Sequence, residues 1–293
     1  MKKVLYMITA VLLLTGCSLQ NPFQKKEQPE SPTEETIEDD NNMTSDSELE
    51  KPEEQKEPDN NIDEENGEQK QDSSNEISEI ALEATYFNDI QEVNNKLEIK
   101  NPSNIVALVN KEFALPGNYE PDDLVRPKVA FSFGDEDIEK SYLRKEAAVA
   151  LEKMFAEAKK DNIHLFAVSG YRSYNRQTTI LDAEIARIGE KKAMQVVANP
   201  GNSEHQSGLS MDISSQEANF LLTEDFGDTA DGKWLKKNAH RFGYILRYPK
   251  DKEGITGYQY EPWHFRYVGE KVAKWVYEND WTLEEFFQEV EKI

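Results

Sequence analysis

The chain has 293 residues, with 57 acidic against 34 basic side chains and a formal net charge of −23. An acidic surface excludes the nucleic-acid backbone as a partner, because phosphate binding needs clustered lysine and arginine. A single cysteine, Cys17, rules out a disulfide within the chain and leaves no thiol downstream as nucleophile or metal ligand.

The N-terminus reads as an address. Met1-Lys2-Lys3 is basic and residues 4–14 are almost wholly apolar. That run falls short of the ~20 apolar residues that cross a bilayer, but it fits the hydrophobic region of a secretory signal. Leu14-Thr15-Gly16-Cys17 resembles the lipobox of bacterial lipoproteins. The resemblance implies a leader over residues 1–16, lipidation at Cys17 and an anchor on the outer face of the cell membrane. Composition then changes sharply. Residues 18–78 hold about 20 acidic and about 5 basic side chains, a balance of about −15, and lack tyrosine and tryptophan. Such a segment cannot bury enough apolar surface to offset the entropy of ordering. Residues 17–78 are therefore expected to be a disordered acidic tether, spanning roughly 45 Å as a flexible coil. An acidic interaction tail is the competing reading.

Residues 79–293 are long enough for one domain with a core, and they hold all four tryptophans. In chain order, residues 104–109 read as a short apolar strand. Residues 144–160 place Ala147, Leu151, Met154, Phe155 and Ala158 at helical spacing, which predicts an amphipathic helix. Residues 164–168 read as a buried strand; 174–187 and 191–198 read as helices stopped by Asn199-Pro200-Gly201. In residues 209–213, Leu209, Met211 and Ile213 alternate with Ser210 and Asp212, the mark of a half-buried strand. Residues 231–242 predict a helix, 244–248 and 264–268 strands, and 269–278 and 283–292 closing helices. Without a regular βαβ alternation, the order favours an α+β domain: a mostly antiparallel central sheet flanked by helices.

Three stretches carry chemistry. In Ser203-Glu204-His205-Gln206-Ser207-Gly208-Leu209-Ser210-Met211-Asp212, a glycine turn could return the His205 imidazole beside the Asp212 carboxylate, a donor pair suited to zinc. The alternative is a surface turn leading into an ordinary strand. In Tyr260-Glu261-Pro262-Trp263-His264-Phe265-Arg266-Tyr267, His264 and Arg266 share the face opposite Trp263, Phe265 and Tyr267. Glu261 lies three residues before His264, an offset that a regular strand would send to the other face. Pro262 cannot continue a central ladder, so the chain should bend there. In Ser169-Gly170-Tyr171-Arg172-Ser173, Arg172 either clamps a carboxylate or oxyanion, or makes a surface pair beside a helix capped by Ser173.

Together, Ser-Gly-Tyr-Arg-Ser, Ser-x-His-x-x-Gly-x-x-x-Asp and Glu-x-Trp-His-x-Arg resemble the zinc D-alanyl-D-alanine carboxypeptidases of the VanY type, within the group that includes lysostaphin-like peptidases and the hedgehog domain. The resemblance runs over residues 104–287 and includes Trp234-Leu235-Lys236-Lys237-Asn238-Ala239-His240 and Leu246-Arg247-Tyr248-Pro249. Ser210 departs from the small residue, usually alanine, expected there. The resemblance implies one zinc per chain on His205, Asp212 and His264, with Glu261 as general base and Arg172 beside the scissile carbonyl or terminal carboxylate. Gln177, Ser203 and Trp263 become expected substrate contacts, while His164 and His240 are expected to be structural. The implied activity is D,D-carboxypeptidase removal of the terminal D-alanine from peptidoglycan stem peptides by a monomer facing the cell wall. The alternatives are an L,D-carboxypeptidase acting on the tetrapeptide stem and a non-catalytic wall-binding module.

Overall fold

The computed structural model describes residues 80–293. The leader, Cys17 and the tether through residue 78 lie outside the described residues. At the centre are four antiparallel strands in the order Leu165–Ser169, Ser210–Ser215, His264–Tyr267, Tyr244–Leu246. One face carries apolar alternate positions. Leu209, Met211, Ile213, Tyr244, Phe265 and Tyr267 pack there with Leu151 and Met154 of the helix Lys145–Lys160 and with Phe226 and Leu235. The sheet and its flanking helices form the expected α+β domain.

The Ser210–Ser215 strand is buried along its whole length, not on one face only. Alternation correctly separates its faces, but its polar face is also covered: Ser210 Oγ donates to Glu204 Oε2 and Ser214 Oγ to the Leu221 carbonyl. A strand with neighbours on both sides and cover on both faces has no solvent side, whatever its polarity.

Residues 106–109 are buried and 104–105 half-buried, but none of them forms a strand. Several of their backbone groups are satisfied by side chains instead. The Asn104 side-chain oxygen accepts from Val106 N at 2.9 Å, and the carbonyls of Ile105 and Ala107 accept from Arg266 Nη2 at 3.1 and 2.9 Å. Asn88 brackets Leu108, donating to its carbonyl at 2.8 Å and accepting from its N–H at 3.0 Å. Apolar composition reported burial there, and the hydrogen-bond partners decided conformation.

Before this segment, Ile90–Val93 and Lys96–Ile99 form a hairpin that composition did not reveal. Asn94 and Asn95 turn it with φ of 52° and 61°, the left-handed pair that matches strand twist in a two-residue turn. The helix predicted over 231–242 is α-helical only for Ala230–Asn238 and tightens to a 3₁₀ turn over Ala239–Phe242. The last helix is Leu283–Glu289, after which Glu291–Lys292 pairs in parallel with Ala81–Leu82. The helix Glu190–Val196 stops early enough for the Ala198 carbonyl to accept from Gln177. None of the described helices is long and apolar enough to cross a membrane.

Candidate active site

The polar face of the central sheet meets the loops in a cleft of about 180 Å³ lined by Arg172, Gln177, Ser203, His205, Asp212 and Glu261, among others. Strand register sets its centre, because His264 lies directly opposite Asp212. His264 Nδ1 sits 3.1 Å from Asp212 Oδ1. His205 arrives from the 3₁₀ turn Glu204–Ser207, which Gly208 ends in the left-handed region at φ 67°. A side chain there would be strained by φ and would meet Leu124 Cδ2 at 2.9 Å and Arg144 Cγ at 3.0 Å. The turn is buried, so it is not a surface loop. His205 Nδ1 donates to the Gly170 carbonyl at 2.8 Å, which leaves Nε2 facing Asp212 Oδ2 at 3.4 Å. Gly170 has no room for a Cβ, which would collide with the Tyr142 carbonyl.

One donor atom from each of His205, Asp212 and His264 lies within 4.8 Å of the others, and all three residues are buried. Their chemistry calls for a cation. His264 Nε2 stands 3.2 Å from Glu204 Oε2 while Nδ1 faces Asp212, so both ring nitrogens face carboxylate oxygens. A neutral imidazole carries only one N–H, and the second contact would set lone pair against lone pair. Burial disfavours a charged His264, yet its bonds to Asp212 and Glu204 outweigh that and push its pKa up to about 9. Burial likewise opposes ionisation of Asp212, but His205 and His264 hold its carboxyl well below the usual range. His205 is lowered, chiefly by burial. A dication between two imidazoles and a carboxylate satisfies all three, in the donor set suited to zinc.

Glu261 approaches this centre without joining the donor set. Its carbonyl accepts from His264 N at 3.1 Å, closing a turn through Pro262 and Trp263, while its N–H donates to the Tyr248 carbonyl at 3.0 Å. That turn removes the problem of the three-residue offset: Glu261 Oε2 lies 3.8 Å from His264 Nδ1. Burial, helped by Asp212 and opposed by His264 and Arg172, raises the Glu261 pKa to about 7. A carboxyl tuned near neutrality in a cleft is suited to taking and returning a proton.

Arg172 follows the Leu165–Ser169 strand. Ser173 caps the next helix, Tyr174–Ile188, by accepting from Arg176 N at 3.3 Å. Arg172, however, turns into the cleft and makes no surface pair. Its Nη1 donates to Gln177 Oε1 at 2.9 Å, and Gln177 Nε2 donates to Ala198 O at 2.7 Å. Burial lowers the Arg172 pKa, countered by Asp212 and Glu261. Ser203 and Trp263 line the same cleft; His164 and His240 do not.

The cleft also contains residues that pattern reading did not assign. Tyr248 stacks at a tilt on His264 with ring centroids 4.9 Å apart, and Tyr258 packs on Tyr248 at 4.7 Å. Ile180, Val196 and Val197 add apolar lining. Glu204 lies beneath His264 with its side chain fully buried. A glutamate beside a candidate ligand was visible in the sequence, but its partners Arg247 and Arg266 become neighbours only through strand register.

Residues 140–270 match the family model described as VanY, D-alanyl-D-alanine carboxypeptidase. YodJ of Bacillus subtilis (strain 168) is 60% identical over 221 residues, covering 75% of this chain and 81% of that protein. The chain belongs to the VanY family. As a member of that family it is a peptide hydrolase, a carboxypeptidase. The solved structure of the LdcB LD-carboxypeptidase superposes with a TM-score of 0.71 at 60% identity, covering 73% of this chain and 100% of that one. A mutant of the vancomycin resistance D,D-pentapeptidase VanY from the VanB-type cassette, in complex with Zn(II), gives a TM-score of 0.50 at 32% identity. That match covers 62% of this chain and 98% of the other. Residues 1–18 match a prokaryotic membrane lipoprotein lipid attachment site.

Proposed function

We propose that this VanY family member releases the terminal D-alanine of peptidoglycan stem peptides, using one zinc ion held by His205, Asp212 and His264. The observation that carries the reading is the convergence of these three donors with Glu261 beside them but outside the set. Bound zinc supplies a water of pKa ~7 and polarises the scissile carbonyl. Glu261 takes the proton of the attacking water and returns it to the leaving amine. Arg172, held by Gln177, is the fixed positive charge beside the carbonyl or terminal carboxylate. The apolar lining from Ile180, Val196 and Val197 suits a small side chain, and Ser203 and Trp263 complete the contacts. A non-catalytic wall-binding module would have no need of an intact donor set with the Glu261 carboxylate beside it.

Two bond specificities fit this machinery. The 60% identity to an LD-carboxypeptidase favours the tetrapeptide stem. The D,D reading, which the motifs suggest first, is favoured by the VanY family model and requires the pentapeptide. The leader at residues 1–16, lipid on Cys17 and the acidic tether would place residues 79–293, acting as a monomer, between membrane and wall. The deciding experiment incubates the zinc-loaded protein separately with tetrapeptide and pentapeptide stems and follows D-alanine and the shortened product. Tripeptide from tetrapeptide supports the L,D reading, and tetrapeptide accumulating from pentapeptide supports the D,D reading. Release from neither sinks the proposal.

A further inference from the structure

The most heavily paired charge in the described residues belongs to no element of the mechanism. The Glu204 and Arg266 side chains and that of Arg247 are all 0% exposed. Glu204 Oε1 accepts from Arg247 Nε and from Arg266 Nη1, both at 2.8 Å. Its Oε2 faces His264 Nε2 at 3.2 Å and accepts from Ser210 Oγ at 3.3 Å. The two guanidinium groups are themselves fixed. Arg247 grips Glu284 with a bidentate pair at 2.8 and 2.7 Å, and Arg266 donates to the carbonyls of Ile105, Ala107 and Tyr267. Two carboxylates and two guanidinium groups make the cluster neutral without any charge on His264. A buried ionic cluster of this size carries a large desolvation penalty and adds little stability over apolar packing. Fold stability is therefore a weak reason for it.

We propose that Glu204 is a positioning residue that fixes the tautomer and ring angle of His264. An ionised carboxylate only accepts, so the imidazole beside Oε2 must carry its proton on Nε2. Nδ1 then keeps its lone pair on the side of Asp212 and His205. The other tautomer would set a lone pair against Glu204 and put a proton where a metal donor is needed. One short turn thus supplies a ligand, His205, and through the preceding residue the orientation of a second. The inference rests on the reading of His264 as a zinc ligand, and it assigns Glu204 the part that a carboxylate behind a metal-bound histidine plays.

The test uses the folded chain, its Glu204→Gln variant and its Glu284→Gln variant, which removes the same charge from the far side of Arg247. Zinc affinity is measured by competition with a chelator, thermal unfolding is recorded without zinc, and histidine tautomers are read from imidazole ¹⁵N shifts. In the unsubstituted protein with zinc, His264 should be protonated on Nε2 only. Both variants should lower the melting temperature, but only Glu204→Gln should weaken zinc binding, by about 10- to 100-fold. Equal loss of zinc affinity in both variants would make the cluster structural and overturn the proposal. So would a zinc-loaded His264 protonated on Nδ1, a measurement that decides the matter even if Glu204→Gln does not fold. An unsubstituted chain that takes up no zinc would instead overturn the parent reading of the site.

Discussion

The two faces of the central sheet are built from the same strands by different physics. On one face, Phe265, Met211, Ile213 and Leu209 lie in an apolar core in which each side chain is interchangeable with another of similar volume at modest cost. On the other, His264, Asp212, Arg266 and Glu204 are equally buried but joined by directed bonds, where every removal strands a partner. Neighbours in sequence, His264 and Phe265, point to opposite faces. Burial alone does not separate stability from function here. What separates them is whether the buried group has a replaceable partner.

Substitutions at these adjacent positions should affect the two faces most differently. His264→Ala should abolish zinc retention and turnover together, with metal analysis and peptide hydrolysis as the paired readouts; near-normal activity without zinc would contradict it. Phe265→Ala should cost about 3–5 kcal/mol of stability in denaturant unfolding. Below the unfolding transition the same variant should bind zinc as tightly as before. If zinc affinity fell in the fully folded variant, the two faces would not be independent. A smaller effect is expected at Arg172→Lys, which keeps the charge but loses the planar fork held by Gln177 at 2.9 Å. Turnover should fall about tenfold to hundredfold with zinc retained, through misplacement of substrate. Unchanged kcat and KM would remove Arg172 from the site.

How far the sequence showed this division depends on the residue. Alternation in Leu209-Ser210-Met211-Asp212-Ile213 and in His264-Phe265-Arg266-Tyr267 assigned both faces correctly, because side-chain period is a local property of a strand, whereas Trp263 stands in the turn before it and reaches the cleft. The motif order pointed to His205, Asp212, His264, Glu261 and Arg172, and the structure gathers all five in one cleft. The position of Glu261 was not legible, because it depends on a turn closed by the His264 N–H to Glu261 carbonyl bond. The Glu204 cluster was illegible for a deeper reason: Arg247 directly follows one strand, Arg266 lies in its neighbour and Glu284 in the last helix, and only the tertiary fold brings them together. Residues 104–109 misled in the opposite way. Their apolar run signalled burial truthfully, but their backbone partners are the distant side chains of Asn88 and Arg266.

In the proposed mechanism Glu261 handles the proton while standing outside the zinc donor set. Zinc content and steady-state hydrolysis of stem peptide, measured on one preparation of Glu261→Gln, test it directly. The variant should hold as much zinc as the unsubstituted protein and lose about 10²–10⁴-fold in turnover, the usual consequence of removing a general base. A Glu261→Gln protein that loses its zinc, or one that keeps its zinc and hydrolyses peptide at near the original rate, would contradict the account.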